Sequence, residues 1–283
     1  MQDPAVPKEP RAEQDGPEKE MSFWEHLDEL RAVLFRCLIA IVVMMIAAFV
    51  FKEFIFDKII LAPKNADFIT YRALCKLGTL ISMHSLCFDT LTLNLININL
   101  AGQFLSHMTV SIVAGLIVST PYIIWEFWRF IRPGLTPFEV RYTRGAVFII
   151  SALFMTGILF SYFLVIPVMV NFLGNYHVSA SVTNQIALNS YVGSVTTMTL
   201  LMGLIFEFPI IVLFLTRIGI LNPSLLKKYR KHTIIIILIA SGIITPSPDI
   251  FSQLLVSVPL YLLYEISLVI STRIFRKRKE LAG

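Results

Sequence analysis

FIRPGLTPFEVRYTR, residues 130–144, is a short polar island between two long apolar runs. It holds Arg132, Glu139, Arg141 and Arg144, punctuated by Pro133, Gly134 and Pro137. Pro133 lacks a backbone N–H and Gly134 tolerates dihedrals that a helix does not use, so the pair breaks a helix. Pro137 keeps the loop stiff. A stiff loop with one carboxylate among several guanidinium groups suits the display of charge at a membrane surface. It equally suits a plain basic hairpin that only fixes topology.

Outward from this island, apolar runs near membrane-spanning length recur from end to end. The chain is 56% hydrophobic and 15% charged, with mean hydropathy +0.73, which excludes an ordinary soluble domain. The pattern predicts an all-α, polytopic integral membrane protein. One membrane domain accounts for the length, leaving no room for a soluble catalytic domain. No CxxC, Cys/His cluster or HExxH occurs, so neither a metal nor another cofactor is expected. The net charge of +5 is distributed as in a protein of the lipid bilayer, with no nucleic-acid partner.

Residues 1–20, rich in Pro, Glu and Lys, have no apolar face to bury and read as a disordered tail. The membrane domain then covers 21–272, and 273–283 form a basic tail. Ser22 and Glu25 make a capping-box pattern. Phe23, Leu27, Leu30 and Leu34 repeat at helical spacing, with Glu25, Glu29 and Arg36 on the opposite side. This amphipathic helix leads into a first span at about 33–51; a cleaved signal peptide is disfavoured, since no small-residue site closes the run. Residues 52–104 form a long outer connection containing Pro63, Cys75, His84 and Cys87, and its end, LTLNLININL, partly alternates like a strand. Cys75 and Cys87 either form a disulfide or remain free thiols; a metal site with His84 has less support. Further spans follow at about 105–130, with Pro121 a candidate kink and Trp125 and Trp128 at interfacial depth, then at 145–173 and 191–216. A basic hairpin leads to a fifth run of only 233–244, and the TPSPD turn opens a sixth at about 250–270.

Six crossings put both termini on one side. Nineteen of the 24 Lys and Arg residues share that side, and the other five lie in 52–104. The positive-inside rule makes the richer face cytoplasmic. The fifth run spans less than ~20 Å against a hydrocarbon core of ~30 Å. Either the bilayer thins beside it or neighbouring helices shelter its ends. A reentrant segment is the alternative, but it would put the basic C-terminus outside.

Glu207, within Phe206-Glu207-Phe208-Pro209, lies deep in the fourth span. An ionised carboxylate there costs at least ~2.5 kcal/mol, so it faces protein or water or stays protonated. It reads as a structural carboxylate or as the proton carrier of a proton-coupled small-solute transporter. No clear internal repeat supports the transporter. An intramembrane protease would need a paired Asp or a Ser/His set at membrane depth, and neither is evident. Glu126 and Glu265 lie near cytoplasmic ends, where snorkelling or interfacial water can serve them.

Taken together, these stretches resemble a known family. His26-Leu27-Asp28-Glu29-Leu30-Arg31 is similar to the HLxELR motif of TatC, the multispanning subunit of the twin-arginine protein translocase. Phe130-Ile131-Arg132-Pro133-Gly134-Leu135 with Glu139 resembles that family's first cytoplasmic loop. Phe206-Glu207-Phe208-Pro209 resembles its FExP, and Pro248-Asp249 with Phe251-Ser252-Gln253 its last outer turn. The chain departs from the pattern at Val140, which separates Glu139 from Arg141, and at Val33, which replaces a basic residue. It departs also around Ser247, with one extra residue, and in its long first outer loop. The resemblance implies six transmembrane helices with short fifth and sixth members, in a bacterial cytoplasmic (inner) membrane with both termini cytoplasmic. It implies a non-enzymatic, oligomeric receptor for twin-arginine signal peptides of folded passengers, which recruits single-span TatA/TatB-type partners and uses the proton gradient. Glu29, Glu139, Phe130 and Pro133 would then bind signal peptide. Glu207, Pro63 and Asp249 would serve partner coupling. Planar guanidinium binds carboxylate in bidentate fashion, which is why Glu29 and Glu139 suit a pair of arginines.

Overall fold

The computed structural model describes residues 23–65, 67–80, 93–132, 145–177, 179, 184–217, 219–245 and 250–282. The expected disordered tail and Ser22 lie outside them. In chain order the elements begin with α1 (Phe23–Val50), a π-helical turn (Phe54–Ile60), a 3-10 turn (Ala62–Lys64) and α2 (Ile69–Leu80). Strand β1 (Leu95–Ile96) and α3 (Gly102–Ile131) come next. A third span is assembled from α4 (Ala146–Phe160), a π-helical turn (Ser161–Val165) and α5 (Ile166–Asn175). Strand β2 (Ile186–Ala187) leads to a fourth span, α6 (Leu188–Phe206) and α7 (Phe208–Arg217). The last elements are α8 (Pro223–Lys228), α9 (Arg230–Ile244) and α10 (Ile250–Ala282).

Among the described residues, five stretches are long and apolar enough to cross a membrane: Trp24–Val50, Gly102–Ile131, Ala146–Asn175, Leu188–Thr216 and Ser252–Arg276. The protein is therefore an all-α, polytopic membrane protein. Helix α9 has 15 residues, about 22 Å of rise against ~30 Å of hydrocarbon. One polar contact ties its middle to the last helix, Gln253 Nε2 donating to the Leu238 carbonyl at 2.7 Å, and Thr245 Oγ1 donates back to Ser241 O within its last turn at 3.0 Å. The sixth helix, expected to be short, is not. Helix α10 runs 33 residues, because residues 271–282 contain no Gly or Pro and are rich in helix-forming Arg, Lys, Glu, Leu and Ala.

In lipid the usual burial order inverts. The apolar stripe of α1, including Leu27, Leu34 and Leu38, is exposed, whereas Val33 and Cys37 beside Arg36 are buried. The polar side of this helix thus faces the protein, as an intramembrane charge requires. Helix α1 packs on α3, α3 on α6, α4 on α6, and α7 and α9 on α10. Two glycines allow close approach. A Cβ at Gly115 would lie 2.6 Å from the Met45 backbone nitrogen, and one at Gly157 2.6 Å from the Met202 carbonyl oxygen. Small residues at such crossings let dispersion act between backbones where lipid offers no hydrophobic drive.

The described parts of the long connection, 52–65, 67–80 and 93–101, pack onto the bundle. The π-helical and 3-10 turns leave terminal carbonyls without helical donors, and phenols from elsewhere supply them. Tyr162 donates to Ile59 O and Tyr191 to Ile60 O, each at 2.9 Å. Tyr71 donates to Pro63 O at 2.9 Å and Pro167 O at 3.0 Å. Thr70 Oγ1 also donates to the Phe163 carbonyl. The alternating segment contributes β1, which pairs parallel to β2 with Leu95 opposite Ile186 and Ile96 opposite Ala187. Outer segment and third and fourth spans therefore share one core, built around Ile60, Tyr71, Ile166, Met169 and Tyr191.

Candidate functional site

At one end of the bundle, the start of α1 lies against the end of α3. The His26 imidazole stacks on Phe130 with ring centroids 4.3 Å apart. Glu29, three residues further along α1, shares the His26 face and is half-buried. Phe130 and Glu29 are therefore brought to one seam. Pro133 and Glu139, on the loop that leaves α3, lie outside the described residues.

Two turns above Glu29 the same face carries Arg36. Its Nη1 donates to Glu126 Oε2 at 2.8 Å, and Tyr122 OH donates to Glu126 Oε1 at 3.0 Å. Both carboxylate oxygens are thus satisfied, and Glu126 is only 1% exposed. This corrects the expectation that snorkelling or interfacial water serves Glu126. Buried Val33 and Cys37 seal the seam around it, so a guanidinium takes the place of water. Two opposite charges inside apolar runs, one two turns from Glu29 and one a turn before Phe130, were the available signal. Glu265, by contrast, keeps some exposure and pairs with Arg230 Nη2 at 2.5 Å. Arg230 Nε also donates to Tyr261 OH at 3.2 Å, which joins the start of α9 to α10.

Glu207 occupies the break between α6 and α7. Pro209 cannot donate to a carbonyl one turn back, and the helix restarts at Phe208. The Glu207 N–H closes a tight turn onto Leu204 O at 3.1 Å. The backbone of Phe154 on α4 approaches the carboxyl group. Yet neither buried oxygen makes a hydrogen bond of ordinary geometry among the described residues. A buried acceptor in that position calls for a donor.

Pro63 is buried on the outer side, where its carbonyl accepts from Tyr71. Asp249 lies outside the described residues. Cys75, on α2, takes part in a disulfide, while Cys87 lies outside the described residues; Cys37 is a buried free thiol. Among the described residues no group of three His, Cys, Asp or Glu side chains is arranged to hold a metal ion. An apolar cavity of about 580 Å³ lies between α1, α3, α4 and α6, bordered by Met44, Val113, Leu159 and Val195. Glu207 does not line it.

Residues 25–259 match the family described as Sec-independent protein translocase protein (TatC). The chain is 40% identical over 261 residues to the TatC protein of Blattabacterium sp. subsp. Periplaneta americana, covering 92% of this chain and 98% of that one. It is 36% identical over 255 residues to the TatC protein of Deinococcus radiodurans, covering 89% and 86% respectively. A crystal structure of the twin arginine translocase receptor TatC superposes with TM-score 0.66 at 28% identity, covering 88% of this chain and 98% of that one. A second, in DDM, gives TM-score 0.69 at 30% identity over 87% and 99%. With motifs, helices and relatives in agreement across most of its length, the chain belongs to the TatC family of Sec-independent protein translocase proteins.

Proposed function

We propose that this chain is the receptor and core subunit of a twin-arginine translocase in a bacterial cytoplasmic membrane. It crosses six times, with α9 as the fifth crossing and both termini cytoplasmic. Glu29 and Glu139 accept the paired arginines of a signal peptide, and Phe130 and Pro133 shape the loop that carries Glu139. Glu207 offers its carboxyl group to single-span TatA/TatB-type partners or to the inserted signal peptide, with Pro63 and Asp249 acting on the outer side. The protein works as an oligomer and export draws on the proton gradient. Cys75 pairs with Cys87 to clamp the outer loop, as an oxidising compartment permits.

The reading rests chiefly on the His26–Phe130 stack, because it brings the Glu29 turn beside the residue from which the 133–144 loop departs. Carboxylates accept from guanidinium in a two-pronged geometry that ammonium cannot match. The solved relatives bear the name twin arginine translocase receptor. The test is export of a twin-arginine reporter in a strain lacking its own TatC. Restored export that fails when the reporter carries two lysines supports the reading; export indifferent to the arginines rejects it.

A further inference from the structure

Contacts join α1 to α3 along most of their length, beginning with the Phe49–His107 stack, ring centroids 3.9 Å apart. The backbones approach most closely where Gly115 meets Met45. Nearer the cytoplasm come the Arg36–Glu126 pair with Tyr122, and then the His26–Phe130 stack. We propose that Arg36 and Glu126 form a positioning rung that sets the register of α1 on α3, and through it the preference of the cytoplasmic site for arginine over lysine. The second half rests on the receptor reading above.

The argument is one of leverage. Glu29 lies sixteen residues from Met45, about 24 Å along the helix, so a tilt of about 5° at that crossing moves Glu29 by about 2 Å. Apolar contacts between helices slide; a guanidinium–carboxylate pair has fixed distances and angles. Glu126, 1% exposed, cannot exchange its partner for water. A buried carboxylate that loses its cation is strongly disfavoured, which holds Arg36 in place. The pair is half-buried, the Arg36 side chain 40% exposed and that of Glu126 2%, and fixing register is the best-attested role for buried polar groups. Arginine suffers more than lysine from displacement of the receiving carboxylates. Its two-pronged contact needs both N···O distances near ~2.9 Å at once, whereas an ammonium rotates to follow one acceptor. Loss of the rung therefore costs discrimination before it costs attraction.

The experiment uses the full chain in lipid nanodiscs, on a background free of other reactive thiols. Spin labels at Asp28 and Arg132 report the separation of the two helix ends. Two synthetic signal peptides, identical except for Arg-Arg or Lys-Lys, report affinity. The double variant Arg36→Met with Glu126→Met removes both charges together, so that no carboxylate is left buried without its cation. It is expected to broaden the distance distribution and to lower the Arg-Arg over Lys-Lys preference about tenfold, or ~1.4 kcal/mol. Arg36→Lys keeps the charge but replaces the planar guanidinium with a freely rotating ammonium and is expected to give an intermediate loss; it decides the matter should the double variant not accumulate. Unchanged distances and an unchanged preference in the folded variants overturn the proposal. A wild-type protein with no arginine preference overturns the receptor reading instead. The spin-label distances then still judge the rung by themselves.

Discussion

Tyr71→Phe removes one oxygen atom from the outer cap and should loosen it measurably. The ring is 2% exposed, and its hydroxyl proton is shared between Pro63 O at 2.9 Å and Pro167 O at 3.0 Å. Without it, at least one buried carbonyl is left short of a donor, which costs about 1–3 kcal/mol. That cost falls on opening the segment from Phe54 to Leu80 away from the third span, so amides there should exchange about 5- to 150-fold faster in deuterium. Burial holds the phenol above the ordinary tyrosine range, because a buried phenolate is disfavoured. The folded state therefore keeps this proton more tightly than the unfolded chain. Its stabilisation is fully present below the ordinary tyrosine range and declines only as pH rises through it. Pro63→Ala retains the carbonyl and should cost only about 0.4–1 kcal/mol, through added freedom of the unfolded chain. An export defect in Pro63→Ala with near-normal exchange would support a coupling role for that residue. Exchange in Tyr71→Phe indistinguishable from wild type would refute the reasoning, since the phenol would then not be what ties the cap down.

Glu207→Ala should remain in the membrane and bind signal peptide, yet lose partner co-purification and export, with Glu207→Gln milder because it keeps a polar group without the ionisation cost. Loss of folding in both, with no selective export defect, would identify a structural carboxylate. Glu29→Ala and Glu139→Ala should each weaken twin-arginine peptide binding about 10- to 100-fold, less where the site is well hydrated. Wild-type affinity in both single variants and the double variant removes these residues from the receptor site. Single cysteines at Asn65 and Asn184 should react with an impermeant thiol reagent in intact cells, and cysteines at Thr136 and Ala282 should not. Labelling of Ala282 from outside rejects six crossings.

The membrane class and the order of spans were legible because apolar run length is a one-dimensional property, unaffected by what each run packs against. The ends of helices were less so. Helix α10 outruns its apolar stretch because helix propensity continues through Arg, Lys and Glu where hydropathy stops. The outer connection read as a loop because its short turns carry no sustained period. What folds it is a set of bonds between distant residues, such as Tyr191 to Ile60 and Tyr71 to Pro167, and no local pattern announces those.

The site divides in the same way. Glu207 was visible because a carboxylate in an apolar run is anomalous wherever it sits, and the structure adds that both its oxygens are buried without a hydrogen bond. Glu126 was equally anomalous but was assigned to interfacial water, because depth along a helix says nothing about the neighbour across the seam. Position 36 was read correctly as lying opposite the apolar stripe. In lipid, however, that opposite side is the protein's interior, so Arg36 meets Glu126 across 90 residues of sequence. Polarity along a membrane helix thus points toward its partner helices, and charges of opposite sign on two such faces are candidates for pairing. Applied to α9 and α10, the same rule singles out Arg230 and Glu265, which do pair. Applied to Glu207, it finds no cation paired with the carboxylate among the described residues.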